Sequence, residues 1–249
     1  MYINYKEAAQ IANCGEKTIR RWAKAGKLNL YGGTRSKNRI LKEELESKLD
    51  KKTISFFNEV NPLSAYWAGF IFADGCIYSD RNRLSVHLAE KDINHLKKFS
   101  LSVLGVDNVK PYESESYSKC YLNIDNYNLR PSLEKFGVIP NKTYNFLEPK
   151  IPNRYLGDFV RGLFDGDGCC DSERARIACS PKCSEWLKSV LPCECKIYKQ
   201  SASDFCVSVE MSNKTDIMKF YSFCLGWNTP RLERKWVIMD DIYKKYMGW

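Results

Sequence analysis

The chain has 249 residues, with 39 Lys and Arg against 30 Asp and Glu, a formal net charge of +9. At roughly 150 residues per domain the length fits one to three domains, and 44% hydrophobic with 13% aromatic residues excludes disorder as a description of the whole. No apolar run reaches the roughly 18 residues of a membrane span, and MYINYKEAAQ lacks the basic and apolar regions of a signal peptide, so a soluble cytoplasmic chain with no membrane partner is expected.

The charge is uneven. Residues 1–52 hold 13 Lys and Arg against 6 Asp and Glu, and residues 53–249 hold 26 against 24. A basic module on a near-neutral body is the footprint of nucleic-acid binding, or else a solubilising basic face. The 11 Cys are odd in number and 8 follow residue 168. No CxxC occurs, and His87 and His95 are the only histidines. The spacing of a zinc site is therefore absent, and buried free thiols are expected rather than disulfides.

From Tyr5, Ala8, Ala9, Ile11 and Ala12 recur at helical spacing, and Asn13-Cys14-Gly15 signals a turn. A second helix starts near Glu16, carries Ile19, Trp22 and Ala23 inward and shows Lys17, Arg20, Arg21 and Lys24 outward; Gly26 ends it. The following segment suits a hairpin around Gly32-Gly33 that returns to the core through Ile40, Leu41 and Leu45. The EAAQI core, the TIRRW helix and the basic hairpin resemble the winged helix-turn-helix of the excisionase/MerR-like group. That resemblance implies a domain over residues 1–52 with Lys17, Arg20, Arg21 and Lys24 at the major groove and Arg35, Lys37 and Arg39 on the wing.

The body contains a repeat. Residues 66–75, YWAGFIFADG, fall on residues 159–168, FVRGLFDGDG, at an offset of 93, which superposes Gly69 on Gly162, Asp74 on Asp167 and Gly75 on Gly168. A duplication of this length is a domain. Each copy then shows two alternating strands (the second is RLSVHLA in the first copy and RARIACS in the second), a helix, further strands (KCYLNID in the first copy, FCVSVEM in the second) and a last helix. The spacing predicts α-β-β-α-β-β-α in each copy, an α+β fold with domains at 53–150 and 151–249.

Small residues recur every fourth position, at Ala65, Gly69 and Ala73 and at Gly162 and Gly166. Glycine inside a helix costs about 1 kcal/mol relative to alanine, and close packing of two helix backbones offsets it. If the two motif helices pack, Asp74 and Asp167 meet at their C-terminal ends. Paired carboxylates there repel unless a divalent cation joins them, which makes a candidate Mg2+ site; read plainly, they are acids that end a helix before glycine. Lys142 and Lys235 each lie 68 residues after their copy's Asp. Both are expected in loops returning to that end, where a lysine stabilises charge developing on phosphate.

The pair AGFIFADG and RGLFDGDG resembles the LAGLIDADG homing endonucleases of the two-motif, monomeric kind. The resemblance covers about residues 60–245. It implies two pseudo-symmetric domains preceded by the winged helix-turn-helix, with sheets forming a saddle on double-stranded DNA, and Mg2+-dependent cutting of both strands at a specific site, in a nucleoid-associated protein of a bacterial or phage-infected cell. Carried over residue by residue, it makes Asp74 and Asp167 the metal-binding catalytic acids, Lys142 and Lys235 the catalytic lysines, and the carbonyls of Ala73 and Gly166 further metal ligands. Phe72, Arg161 and Gly166 depart from the family pattern. Alternation along the strands puts Tyr78, Arg81, Arg83, Ser85 and His87, then Lys119, Tyr121 and Asn123, then Arg174, Arg176, Ala178 and Ser180, with Ser208 and Glu210, on the DNA-facing side. A non-cutting DNA-binding regulator and an intron RNA maturase are the alternatives; the helix-turn-helix suits duplex DNA better than A-form RNA.

Overall fold

The computed structural model describes residues 1–12, 14–32, 39–50, 54–113, 118–199, 204–226 and 229–248. At the N-terminus, β1 (Tyr2–Ile3) pairs antiparallel with β2 (Ile40–Leu41), and between them lie α1 (Tyr5–Ile11) and α2 (Glu16–Lys24); α3 (Lys42–Asp50) follows. Asn4 starts α1 with a capping box. Its side chain accepts the Glu7 N–H at 2.9 Å, and the Glu7 carboxylate accepts the Asn4 N–H at 2.8 Å, an arrangement worth about 1 kcal/mol. Gly15 precedes α2, and Gly26, at φ 67°, follows its end. Ile3, Ala8, Ala9, Ala12, Ile19, Leu28, Ile40 and Leu45 form a core of their own. Tyr31 and Arg39 bridge at the base of the expected wing; Arg35 and Lys37 lie outside the described residues.

The body begins with α4 (Pro62–Asp74), β3 (Gly75–Ile77), β4 (Arg83–Ala89), α5 (Ile93–Leu104), β5 (Lys110–Glu113), β6 (Ser118–Asp125) and α6 (Leu129–Glu134). The order recurs in α7 (Asn153–Asp167), β7 (Gly168–Cys170), β8 (Ala175–Cys179), α8 (Pro181–Val190), β9 (Lys196–Lys199), β10 (Val207–Met211) and α9 (Lys214–Cys224). Both sheets are antiparallel with matching strand orders, β3-β4-β6-β5 and β7-β8-β10-β9. One departure is α10 (Glu233–Met247). Lys235, expected in a loop, stands instead in the first turn of this helix. Lys142, its counterpart, is in a turn after α6. There Pro140 and the positive φ of Asn141, 55°, oppose a helix.

The two motif helices pack on each other at the centre. α4 is buried along Ser64–Phe72 and α7 along Phe159–Asp165, so one apolar core spans both copies. The glycines set the spacing. A Cβ on Gly69 would stand 1.9 Å from the Phe159 carbonyl oxygen, and a Cβ on Gly162 would stand 1.9 Å from that of Tyr66. Only hydrogen fits at either point. Among the described residues no helix is long and apolar enough to cross a membrane, and the described cysteines are free thiols.

Candidate active site and DNA-facing surface

α4 and α7 end side by side, each on an aspartate followed by a glycine that turns the chain into a sheet's first strand. The ends are close: a Cβ on Gly166 would meet the Ala73 Cβ at 2.2 Å and the Asp74 Oδ2 at 3.2 Å. Burial, with the Asp167 charge second, pushes the Asp74 carboxyl up to about 6, against the pull of Lys235 and Lys142. Burial also raises Asp167, against the same two lysines. Both lysines are held below the ordinary lysine value by burial, opposed by the aspartates. Four groups distant in sequence therefore share one electrostatic environment. The Lys142 Nζ donates to the Gly75 carbonyl. The Lys235 Nζ donates to the carbonyls of Gly166, at 2.5 Å, and Phe164, at 3.4 Å. The Gly166 carbonyl, expected as a metal ligand, thus carries an ammonium; Ala73 is half-buried against Gly166.

A polar network that sequence reasoning missed lies beneath these acids. Asp165, 1% exposed, accepts the Tyr66 hydroxyl and the Trp236 Nε1–H, both at 2.6 Å, and the Leu232 N–H at 2.8 Å. Burial raises its carboxyl, and the three donors oppose this. The Tyr66 oxygen also lies 2.9 Å from His95 Nε2. Since the hydroxyl proton goes to Asp165, Nε2–H is the donor, and the ring's neutrality follows from its burial. Burial lowers His95 to about 4, which agrees. The signal was available in the repeat, where Asp165 falls on Phe72. Arg161 is explained too. Its guanidinium donates to the Cys224 carbonyl at 2.6 Å, Asp158 at 2.7 Å, the Pro230 carbonyl at 3.3 Å and the Thr229 hydroxyl, tying α7 to the segment that leads into α10.

The residues expected on the DNA side are unequal. On α2, Lys17, Arg20, Arg21 and Lys24 are exposed; Arg20 lies 4.4 Å over the Tyr5 ring and 3.4 Å from Glu16. Arg39 is exposed beside the bridge to Tyr31. On the first sheet His87 stacks on Tyr121, its register partner, at 5.7 Å, and Lys119 and Asn123 are exposed. Arg81 lies 4.3 Å over Tyr78. Arg83 makes two 2.8 Å hydrogen bonds to Asp125. Ser85 is a correction: it is 3% exposed and its hydroxyl donates to Asn123, because the two oppose each other in the ladder. Ser180 is another. It is not on the strand face but N-caps α8, accepting the Cys183 N–H at 3.4 Å. Arg174 is 3.7 Å from Glu210, and Arg176 is 3.1 Å from Asp171. Between the N-terminal module and the first sheet runs a groove of about 1030 Å³ with Lys6, Arg21, Arg81, Arg83 and Arg130 on its walls.

Residues 2–53 match the family described as Helix-turn-helix domain. The body resembles solved LAGLIDADG structures. The I-LtrWI LAGLIDADG homing endonuclease bound to target DNA is 10% identical, with a TM-score of 0.53 over 78% of this chain and 92% of that one. The meganuclease I-SmaMI bound to uncleaveable DNA is 15% identical, with a TM-score of 0.51 over 76% and 92%. I-DmoI in complex with DNA and Ca is 16% identical, with a TM-score of 0.50 over 72% and 97%. No curated protein sequence matches the chain. Two α+β units joined through their motif helices make this the LAGLIDADG homing endonuclease fold, and it carries a helix-turn-helix at its N-terminus.

Proposed function

We propose that the protein is a site-specific, Mg2+-dependent endonuclease of the homing type, which hydrolyses one phosphodiester on each strand of duplex DNA. It works as a single chain whose two copies supply one half-site each across an internal pseudo-two-fold axis. The observation that supports this best is the pairing of Asp74 and Asp167 at adjoining helix ends, each copy with its lysine on a carbonyl of its own motif. Residues 53–150 and 151–249 are the two cutting domains, and residues 1–52 anchor the protein on flanking DNA.

The donor set fits a hard divalent cation. Among the described residues no group of three His, Cys, Asp or Glu side chains could hold a metal alone, but Mg2+ characteristically takes one or two carboxylates and completes its shell with water and substrate phosphate. Burial raises both carboxyls, Asp74 to about 6, and a divalent cation would favour their ionised forms. Asp74 and Asp167 would hold the cation, which would supply Lewis acidity. The chain's own part is positional. The two carboxylates are fixed by the glycine-packed helices. Lys142 and Lys235 hold ammonium charge where negative charge grows on the phosphate oxygens. The exposed strand residues set the register on the bases.

Sequencing the ends of a randomised duplex library after incubation with Mg2+ tests this. One site cut on both strands by the parent, and by neither Asp74→Asn nor Asp167→Asn, is the expected result. Binding without cleavage under all divalent cations would favour a regulator. Preference for a structured RNA over duplex DNA would favour a maturase.

A further inference from the structure

The two lysines reach their carbonyls by different means. Lys142 sits in a tight local turn in which the Asn141 carbonyl accepts the N–H groups of Tyr144 at 2.9 Å and Asn145 at 3.0 Å. Lys235 sits on α10, whose first turn has no capping side chain. That turn is fastened from outside at the residues flanking the lysine. Leu232 N–H and Trp236 Nε1–H both go to Asp165 on α7. Between them Arg234 crosses to the other copy: its Nε lies 2.7 Å from Asp92 Oδ1 and its Nη2 lies 2.6 Å from Asp92 Oδ2. This is a two-bonded fork with its carboxylate 6% exposed and its guanidinium side chain 44% exposed. Burial works against the Asp92 charge, yet the Arg234 hydrogen bonds hold the carboxyl below its ordinary value.

Such a fork fixes distance and orientation together. Both partners stand close to the chemistry. Arg234 adjoins Lys235, and Asp92 begins the helix that carries His95, which bonds Tyr66 and through it Asp165. We propose that Arg234 and Asp92 are positioning residues for Lys235, an ion pair between the two copies that sets the register of α10 and thereby places the ammonium of the second half-site on the Gly166 carbonyl. Among the described residues no ion pair adjoins Lys142, whose turn is closed by backbone hydrogen bonds, so the two half-sites are held by unequal devices. The step from Lys235 to strand cutting rests on the proposed endonuclease activity; the placement of the ammonium does not.

The test therefore reads the ammonium first. The full-length protein without DNA is pulse-labelled with an amine-acetylating reagent, and Lys235 and Lys142 are quantified by mass spectrometry in the parent, Arg234→Gln, Asp92→Asn and the double variant, each with an unchanged circular dichroism spectrum. Arg234→Gln is expected to raise labelling of Lys235 about fivefold, the scale of coupling within one ion-pair network, with Lys142 unchanged. The double variant is expected to label no faster than the faster single. Unchanged Lys235, an equal rise at Lys142, or multiplicative effects in the double variant would overturn the proposal. On a duplex recovered from the library, labelled on each strand, Arg234→Gln is expected to slow nicking of one strand severalfold more than the other; equal slowing would also overturn it. If the parent cuts no duplex, the endonuclease reading fails while the labelling still decides this one.

Discussion

Asp74 is a carboxyl whose folded-state value, about 6, lies above its unfolded one. A raised acid contributes stability below its unfolded value and loses it as pH rises through the folded value, so at pH 7 the ionised Asp74 is destabilising. Asp74→Asn is therefore expected to abolish cleavage and yet stabilise the protein at pH 7 without added metal, by up to about 3 kcal/mol, with little difference at pH 4. Urea titrations at the two pH values measure this, and a variant less stable than the parent at pH 7 would contradict it. His95 works in the opposite sense. Its folded value is depressed to about 4. Its neutral form therefore contributes fully above the unfolded histidine range, and the contribution fades as pH falls towards 4, about 3 kcal/mol in all. His95→Gln keeps an N–H donor but does not titrate, so its melting temperature is expected to fall less steeply than the parent's between pH 6.5 and 4. Parallel slopes in scanning calorimetry would remove His95 from the account. Asp74, Asp167, Lys142 and Lys235 were legible because each pair repeats at one offset. Asp165, Tyr66 and His95 were not, because their importance comes from meeting one another across the two copies, and the repeat shows no second example.

Among elements, the pairing of α4 with α7 carries the architecture. With each glycine under a carbonyl of the facing helix, Gly162→Ala must separate the backbones or tilt one helix. Overpacking of this kind costs about 1–3 kcal/mol or more. Because the same helices end in Asp74 and Asp167, the variant is expected to lose cleavage more steeply than stability, which denaturant titration and a cleavage assay measure together. The small-residue spacing announced this packing. It did not announce α10. Trp236 and Met239 are buried, with Ile242 and Tyr243 half-buried against the core, at helical spacing. Both lysines are expected in loops after the last helix of their copy; Pro140 and the positive φ of Asn141 keep Lys142 out of a helix, while this periodicity places Lys235 in one. Ser85 and Ser180 show a similar limit: period-two alternation assigns a face, but hydrogen bonding to Asn123 and capping of α8 decide what the hydroxyls do.

Across the whole molecule, the charge is divided between a basic N-terminal module and a near-neutral body, and the structure places Arg21 of the former and Arg81, Arg83 and Arg130 of the latter along one groove. Arg83 is already engaged with Asp125, so the exposed lysines of α2 are the better candidates for phosphate. Replacing Lys17 and Lys24 by alanine is expected to weaken DNA binding at low salt and to reduce the slope of log K against log salt by about 0.9 for each phosphate that is no longer neutralised, while leaving the position of cutting unchanged. Fluorescence anisotropy over a salt series and end sequencing check the two halves, and an unchanged slope would take α2 off the DNA. By itself the sequence determined the helix-turn-helix, the duplicated α+β unit, the packed motif helices and the paired acids and lysines, since these are written in local periodicity, in small residues and in a constant offset. Tertiary structure alone decided how the copies differ: the helix that bears Lys235, the buried carboxylate of Asp165 and the ion pair of Asp92 with Arg234. These depend on groups that approach one another only when separate segments pack, and burial then sets the value of every charge among them.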